Sequence, residues 1–451
     1  MTANVGRRAF LGGAGLLGLG GALGATAGAI TEHVVDGPAH PDADGVRPAV
    51  AAARAKAVAA VPVPVSRVGA SVTHQAGIAE RPAAYLSLAA YDLAPAANAG
   101  ATREDLRATL RAWTRGAAAL MEGRPVYPDD TVAVGLAPAA LTVTIGLGRS
   151  ALGRAGLAER IPGPLAPIPA FTRDRLDPAQ GDGDLVIQVC AEDPIVATAA
   201  ARALTRLAAP TAGLRWVRRG FRRSAAAADA PDGTPRNLMG QLDGTDNPAA
   251  GTAQFDLAVW ADPSSSPEWM RGGSYLVARR IQMLLDRWDL LSVPGQEKVI
   301  GRHKVSGAPL AVSASDATGG AVTVGGTATV GGAASQETAP PDFTATDRAG
   351  GLAIPANAHV RLSHPDFNNG VRMVRRGYSY DEGLDAAGQP DAGLIFLAFQ
   401  SDPRSAFTPI QRKLDSSDAL STFIRHTASA LFAVPPAAAA GGYVGQPLLE
   451  S

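Results

Sequence analysis

The segment 184–221, DLVIQVCAEDPIVATAAARALTRLAAPTAGLRWVRRGF, decides the fold. Asp184–Cys190 is a short apolar run that suits a strand, Val196–Leu207 suits a helix, and Leu214–Phe221 suits a second strand. Upstream, Tyr85–Tyr91 suits a strand, and Leu141–Leu147 alternates β-branched residues as a strand does. Between them, Leu106, Leu110, Trp113, Ala117 and Leu120 recur at three- and four-residue spacing, which predicts a helix over Arg103–Glu122. The order is β-α-β-β-α-β, the ferredoxin-like unit.

The remainder repeats this plan less tidily. Tyr275–Met283 and Val371–Tyr380 are predicted strands, Leu394–Gln400 is a near-continuous apolar strand, and Asp415–Phe432 is predicted to be a helix. The expected class is α+β. Two ferredoxin-like halves, 67–230 and 231–451, pack their antiparallel sheets together in a manner like a dimeric α/β barrel. Residues 311–350 form an insertion of low complexity, rich in Gly, Ala, Ser and Thr, expected as an exposed loop.

A chain of 451 residues with 46% apolar content can bury a large core. Its 41 basic and 41 acidic residues balance. No basic stripe with interleaved aromatics stands out, so a nucleic-acid partner is not expected. Cys190 is the only cysteine. That excludes an intrachain disulfide and any Cys-based zinc or iron–sulfur cluster. Cys190 lies in an apolar run and reads as a small core residue.

Residues 6–11 read Gly-Arg-Arg-Ala-Phe-Leu, and no charge follows until Glu32. A basic start, a modest apolar stretch and small residues at Ala25-Thr26-Ala27 and Ala27-Gly28-Ala29 make an export signal over 1–29. Arg7-Arg8 before Phe10-Leu11 resembles a twin-arginine signal. Residues 9–30 are long enough to span a bilayer. The eight glycines from Gly12 to Gly28 weaken them as a stable helix. Residues 30–66, rich in Ala, Pro and Asp, read as a linker or arm.

Three places look chemical. Asn237–Pro248 contains Asp243-Gly244 and Asn247-Pro248, strong turn chemistry; by itself it reads as two tight turns with capping acids. Two of the seven histidines, His359 and His364, stand five apart before Pro365. That is poor spacing for a two-His metal site, though one His can ligate an iron. Arg375-Arg376 lies in a predicted strand, where neighbours face opposite ways. One of the two therefore points inward and calls for an anion.

Together and in this order, these segments resemble the dye-decolorizing peroxidase family. The resemblance runs from about Arg67 to Leu448. It is carried by Gly240-Gln241-Leu242-Asp243-Gly244, which fits a G-x-x-D-G motif, and by the opening segment Gly69–Ile78. Gly273–Ile281 and Ile300–Leu310 are similar to a twin-arginine-exported branch that includes deferrochelatase/peroxidases. The resemblance implies haem b, one per chain. With no C-x-x-C-H attachment site, that haem is held non-covalently. It further implies His359 as the axial ligand of the iron, Asp243 as the acid–base residue opposite it, and Arg375 beside Asp243. Gly244, Thr245, Asp246, His364, Pro365, Asp366 and Arg375 are implied haem contacts, although His364 and Asp366 depart from the family's usual Asn and Arg.

The implied chemistry is peroxide reduction coupled to one-electron oxidation of dyes or other donors. An ordinary Asp titrates near 3.9, so an acidic working range follows unless burial raises it. His359's other ring nitrogen needs a carboxylate or carbonyl partner, for which Asp402 is the candidate. Trp113, Trp216, Trp260, Trp269 and Trp288 are candidate relays for bulky donors, core packing being the ordinary role of any one of them. Two alternatives are kept: release of iron from haem with the porphyrin intact, alongside iron-uptake permease components, and non-catalytic haem carriage. Simple carriage needs neither Asp243 nor Arg375. A periplasmic or extracellular location and a homodimer complete the expectations.

Overall fold

The computed structural model describes residues 67–68, 72–93, 101–127, 136–224, 233–312, 337–385 and 387–450. The signal 1–29, the arm 30–66 and most of the 311–350 insertion lie outside these residues. Among the described residues, no helix is long and apolar enough to cross a membrane.

The first half contains β1 (Tyr85–Leu93), α1 (Arg103–Met121), β2 (Thr142–Gly148), β3 (Leu185–Ala191), α2 (Pro194–Ala208) and β4 (Ala212–Phe221). Each predicted element is present with ends moved by one or two residues. Local chemistry sets the helix starts. The Thr102 side chain accepts from the Asp105 amide while Asp105 reaches back to Thr102, a reciprocal cap on α1. Asp193 caps α2, with Pro194 at its first position.

The second half contains α3 (Ala253–Val259), β5 (Ser274–Met283), α4 (Val293–Ile300), α5 (His359–Ser363), β6 (Tyr378–Leu384), β7 (Pro390–Gln400), α6 (Phe407–Ser417) and β8 (Ile424–Val434). The helix expected over Asp415–Phe432 is a correction. Helix α6 ends at Ser417, and Ile424–Val434 is a strand paired with both β5 and β2. The Ala-rich run 428–433 carries no strong local preference, and the slot between β5 and β2 decides its state. The strand expected over Val371–Tyr380 is broken into Val374–Arg375 and β6.

All pairings among these strands are antiparallel. The order β2-β3-β1-β4-β6-β7-β5-β8 returns to β2, a closed eight-stranded ring. One seam is Phe221 opposite Ser379. The other is Phe432 opposite Gly148 and Ala433 opposite Leu147.

Both faces of most strands are covered, which explains their near-continuous apolar sequence. In β1, Leu86, Leu88 and Ala90 join the cluster inside the ring with Tyr378, Leu397 and Phe432. Ala89, Tyr91 and Leu93 face outward against Leu106, Leu110, Trp113 and Leu204 of α1 and α2. Cys190 belongs to the inner cluster, with the Tyr378 hydroxyl donating to its Sγ at 3.4 Å. In the second half, α5 and α6 cover the outer face instead. They do not close fully on the sheet, and the candidate site lies in the gap.

Candidate active site

A cavity of about 240 Å³ opens between β5, β7 and β8 on one side and α5 and α6 on the other. Two other cavities of about 10 and 20 Å³ have room for little more than a water. The large one is walled by Ile281, Met283, Leu394, Phe396, Leu414 and Leu420. Asp243, Gly244, Thr245, Asp246, His359, His364, Pro365 and Arg375 all line it. Asp366 does not; its side chain is 69% exposed and turned towards His364 at 3.4 Å.

His359 opens α5. Its Nδ1 meets Asp418 Oδ2 at 2.7 Å, and Asp418 is almost fully buried. Asp418 also accepts from the Leu420 amide, which fixes the carboxylate. Burial opposes a charged His359 ring, but the Asp418 carboxylate outweighs it, and the pKa stands above the ordinary histidine value. With Nδ1 engaged, Nε2 is the nitrogen left to bind something in the cavity. The expected partner, Asp402, is instead tied to Arg404. Asp418 lies just beyond the C-terminus of α6, and the misassigned helix hid it.

Asp243 sits in a turn that only particular residues can make. Gly244 has φ of +124°, a region closed to residues with a Cβ. Asp246 follows in the left-handed region at φ +66°. The Asn247 side chain donates to the Arg375 carbonyl at 2.8 Å and accepts from the Arg375 amide at 3.1 Å. Arg375 Nη2 donates in turn to the Thr245 carbonyl at 2.6 Å. These three bonds clamp the Asp243 turn to the strand that carries Arg375. Gly377 completes the approach: a Cβ there would lie 3.5 Å from Asp243 Oδ2.

Arg376 points to the other face, into the ring, and is 2% exposed. It donates to the carbonyls of Ile78 and Glu80, not to an anion. The expectation that the inward arginine requires an anion is thus corrected. Carbonyl oxygens meet part of its donor capacity, and Arg375 is the arginine of the cavity.

Several lining residues were not among the expected site residues. Arg302 donates to the Gly307 and Glu337 carbonyls, and Arg372 pairs with Asp246 at 2.7 Å. Gln241 is buried with its Nε2 unpartnered. Arg279 is buried against Asp174. Burial pushes His426 down to about 3, so its ring is neutral.

Haem fits this arrangement on its donor set. One imidazole nitrogen faces the cavity while a carboxylate anchors the other. Apolar side chains supply walls for a flat macrocycle. Arg302, Arg372 and His364 gather positive and hydrogen-bonding groups on the lining for its carboxylates.

Two family models match the chain: Dyp-type peroxidase, N-terminal, over residues 75–222, and Dyp-type peroxidase, C-terminal, over residues 234–439. A dye-decolorizing peroxidase of Thermobifida fusca (strain YX) is 44% identical, covering 98% of this chain and 97% of its own. A deferrochelatase of Escherichia coli (strain K12) is 32% identical, over 84% of this chain and 86% of its own. Among solved structures, a DyP-type peroxidase from Streptomyces coelicolor is 47% identical with a TM-score of 0.76, covering 87% of this chain and 100% of that one. Ferric DtpA from Streptomyces lividans is 46% identical with the same TM-score and the same shares.

Proposed function

The chain belongs to the Dyp-type peroxidase family and is a haem-dependent peroxidase, and from that premise we propose how its own residues divide the work. Its cofactor is non-covalent haem, and its substrates are hydrogen peroxide and a reducing partner.

His359 would hold the haem iron through Nε2. Asp418, bonded to Nδ1, holds the ring in the tautomer that presents Nε2 and makes that nitrogen more basic. Bound haem supplies an iron centre able to take two oxidising equivalents from peroxide and return them one at a time. Across the cavity, Asp243 takes a proton from the near oxygen of hydrogen peroxide and delivers it to the departing one. Arg375 stays charged and stabilises negative charge developing on that oxygen. The Asn247 clamp holds the two groups in one geometry, so no reorganisation is needed when charge appears. The observation that carries this reading is the meeting of Asp243, Arg375 and an Asp-anchored His359 in one apolar cavity. A carrier needs no such acid–base pair.

We read the architecture more finely as two ferredoxin-like halves, and the strand order supports this. Each set of four strands runs second-third-first-fourth, the ferredoxin-like arrangement. Two such units joined edge to edge account for the closed ring.

The deferrochelatases among the relatives support a second reading of the same site, iron release from haem; iron-uptake permease components would be the partners of that reading. One experiment separates the two. With peroxide, the purified protein is expected to bleach an anthraquinone dye and to leave its haem intact. Accumulation of free protoporphyrin without bleaching would move the assignment to iron release.

We also place the protein outside the cytoplasm, by the twin-arginine route, on the strength of Arg7-Arg8 and the Gly-rich run that follows. The double variant R7K/R8K should strand the protein inside the cell. Unchanged export on fractionation would refute the signal.

A further inference from the structure

We propose that Asp174 and Arg279 form a second proton entry to the haem cavity, separate from Asp243, through which solvent supplies the protons that turn the second peroxide oxygen into water. The proposal rests on the peroxidase reading. Hydrogen peroxide takes two electrons and two protons to give two waters. The first water carries off both hydrogen atoms of the peroxide. The second oxygen becomes water only when donors supply two electrons and solvent supplies two protons. Asp243 moves the peroxide's own protons and adds none.

Asp174 lies in the segment 171–177, which the first half lays over α6 and β8. Asp415 of α6 pins this segment. It accepts from the Thr172 hydroxyl at 2.6 Å and from the amides of Thr172 and Arg173 at 2.9 and 2.8 Å. The amides of Arg175 and Asp177 donate to the carbonyls of His426 and Thr427 in β8. Thr172, Arg173 and Arg175 are exposed, whereas Asp174 turns inward, with its side chain 7% exposed, and pairs with Arg279. Arg279 is itself 1% exposed and lines the haem cavity. A single guanidinium thus stands between an exposed segment and the cavity. The rings of Phe171 and Phe407, at 5.5 and 5.8 Å from the guanidinium carbon, help to hold it there.

The polar atoms around this pair are open. Arg279 Nε and Nη1, Asp174 Oδ2, His426 Nδ1 and Ser429 Oγ are buried with no partner. The Gln411 amide donates to His426 Nε2 at 3.4 Å, so the ring proton sits on Nδ1. Ser429 stands opposite Arg279 in the β5–β8 pair and lines the cavity of about 10 Å³ that Arg279 also lines. Buried groups of this kind bond to ordered water. Water held by Arg279 and Asp174 therefore joins the carboxyl to the cavity. The guanidinium keeps its protons and orients the water, and Asp174 is the group that gives up a proton and recovers one from solvent. Burial raises the Asp174 carboxyl above the ordinary value against the pull of Arg279, and the Asp415 carboxylate adds to the rise. The charged groups facing it are Arg279 of β5 and Asp415 of α6; His426 of β8 is neutral.

The test uses the haem-loaded protein in two successive mixes. One equivalent of peroxide is added first, then ferrocyanide, a donor that carries an electron and no proton. The return of the Soret band then reads proton supply from solvent. D174N, whose amide can still accept from Arg279, should slow that return about 10²-fold, the lower worth of a positioned proton donor. D174E should restore it, and added formic acid should restore it in D174N, a rescue that a merely structural Asp174 would not show. The infrared carbonyl band of a protonated carboxyl should titrate above the ordinary aspartate range in the wild type and be missing in D174N. Return at the wild-type rate in D174N, a loss that neither D174E nor formic acid repairs, or the same infrared band in both proteins would overturn the proton entry. A wild-type protein unmoved by the first mix would instead defeat the peroxidase reading.

Discussion

His359→Ala purified from cells should carry little or no haem. Among the described residues, His359 is the proposed holder of the iron, Cys190 is buried in the ring, and the sequence has no C-x-x-C-H attachment site. Loss of a partner behind a metal ligand typically costs 10- to 100-fold in affinity, so loss of the ligand itself should cost at least about 100-fold, roughly 3 kcal/mol. Asp418→Asn removes only the anchor on Nδ1, and a smaller loss within that 10- to 100-fold range is expected. Haem titration followed by Soret absorbance gives both numbers. Wild-type affinity in His359→Ala would remove the axial assignment, and an effect of Asp418→Asn larger than that of His359→Ala would invert the order argued here.

Asp243→Asn should keep haem yet react with peroxide about 10²- to 10⁴-fold more slowly, the usual worth of a positioned acid–base group. The amide has the shape of the carboxylate but cannot accept the proton. Arg375→Leu should lose about 10²- to 10³-fold, as expected for one charged donor aimed at developing negative charge. It also breaks the bond to the Thr245 carbonyl and loosens the Asp243 turn, so the two losses should not add in the double variant. Arg375→Lys keeps the charge but not the forked geometry, and should fall between. Stopped-flow measurement of the peroxide-induced Soret change reads all four. Wild-type rates in either single variant would take that residue out of the reaction.

The first half was legible because its signals are local. Apolar spacing in Leu106–Leu120 needs a helix, and β1 to β3 are largely apolar on both faces because both are covered. Ile424–Val434 failed for the opposite reason. Its alanines suit either state, and pairing with strands far away in sequence made the choice. The same error concealed Asp418, which stands 59 residues from His359 and meets it only through tertiary folding. Asp402 was proposed from its proximity to a strand, and proximity in sequence does not determine where a carboxylate points.

The site residues were legible in kind. The turn chemistry of Asp243–Pro248 was visible, but not the amide of Asn247 bridging to Arg375 over 128 residues. Likewise, alternation along a strand correctly separated the directions of Arg375 and Arg376. It did not reveal that the ring interior would meet Arg376 with carbonyls from the segment that follows His74. The departures at His364 and Asp366 have a structural counterpart. Asp366 is off the cavity, while Arg302 and Arg372 stand on its lining.

The most direct measurement is the absorption spectrum of the purified protein before and after one equivalent of hydrogen peroxide, then after a dye. The account predicts the spectrum of a non-covalent haem ligated by histidine. It should change at once with peroxide and return as the dye bleaches. A haem spectrum that neither peroxide nor dye alters would contradict it.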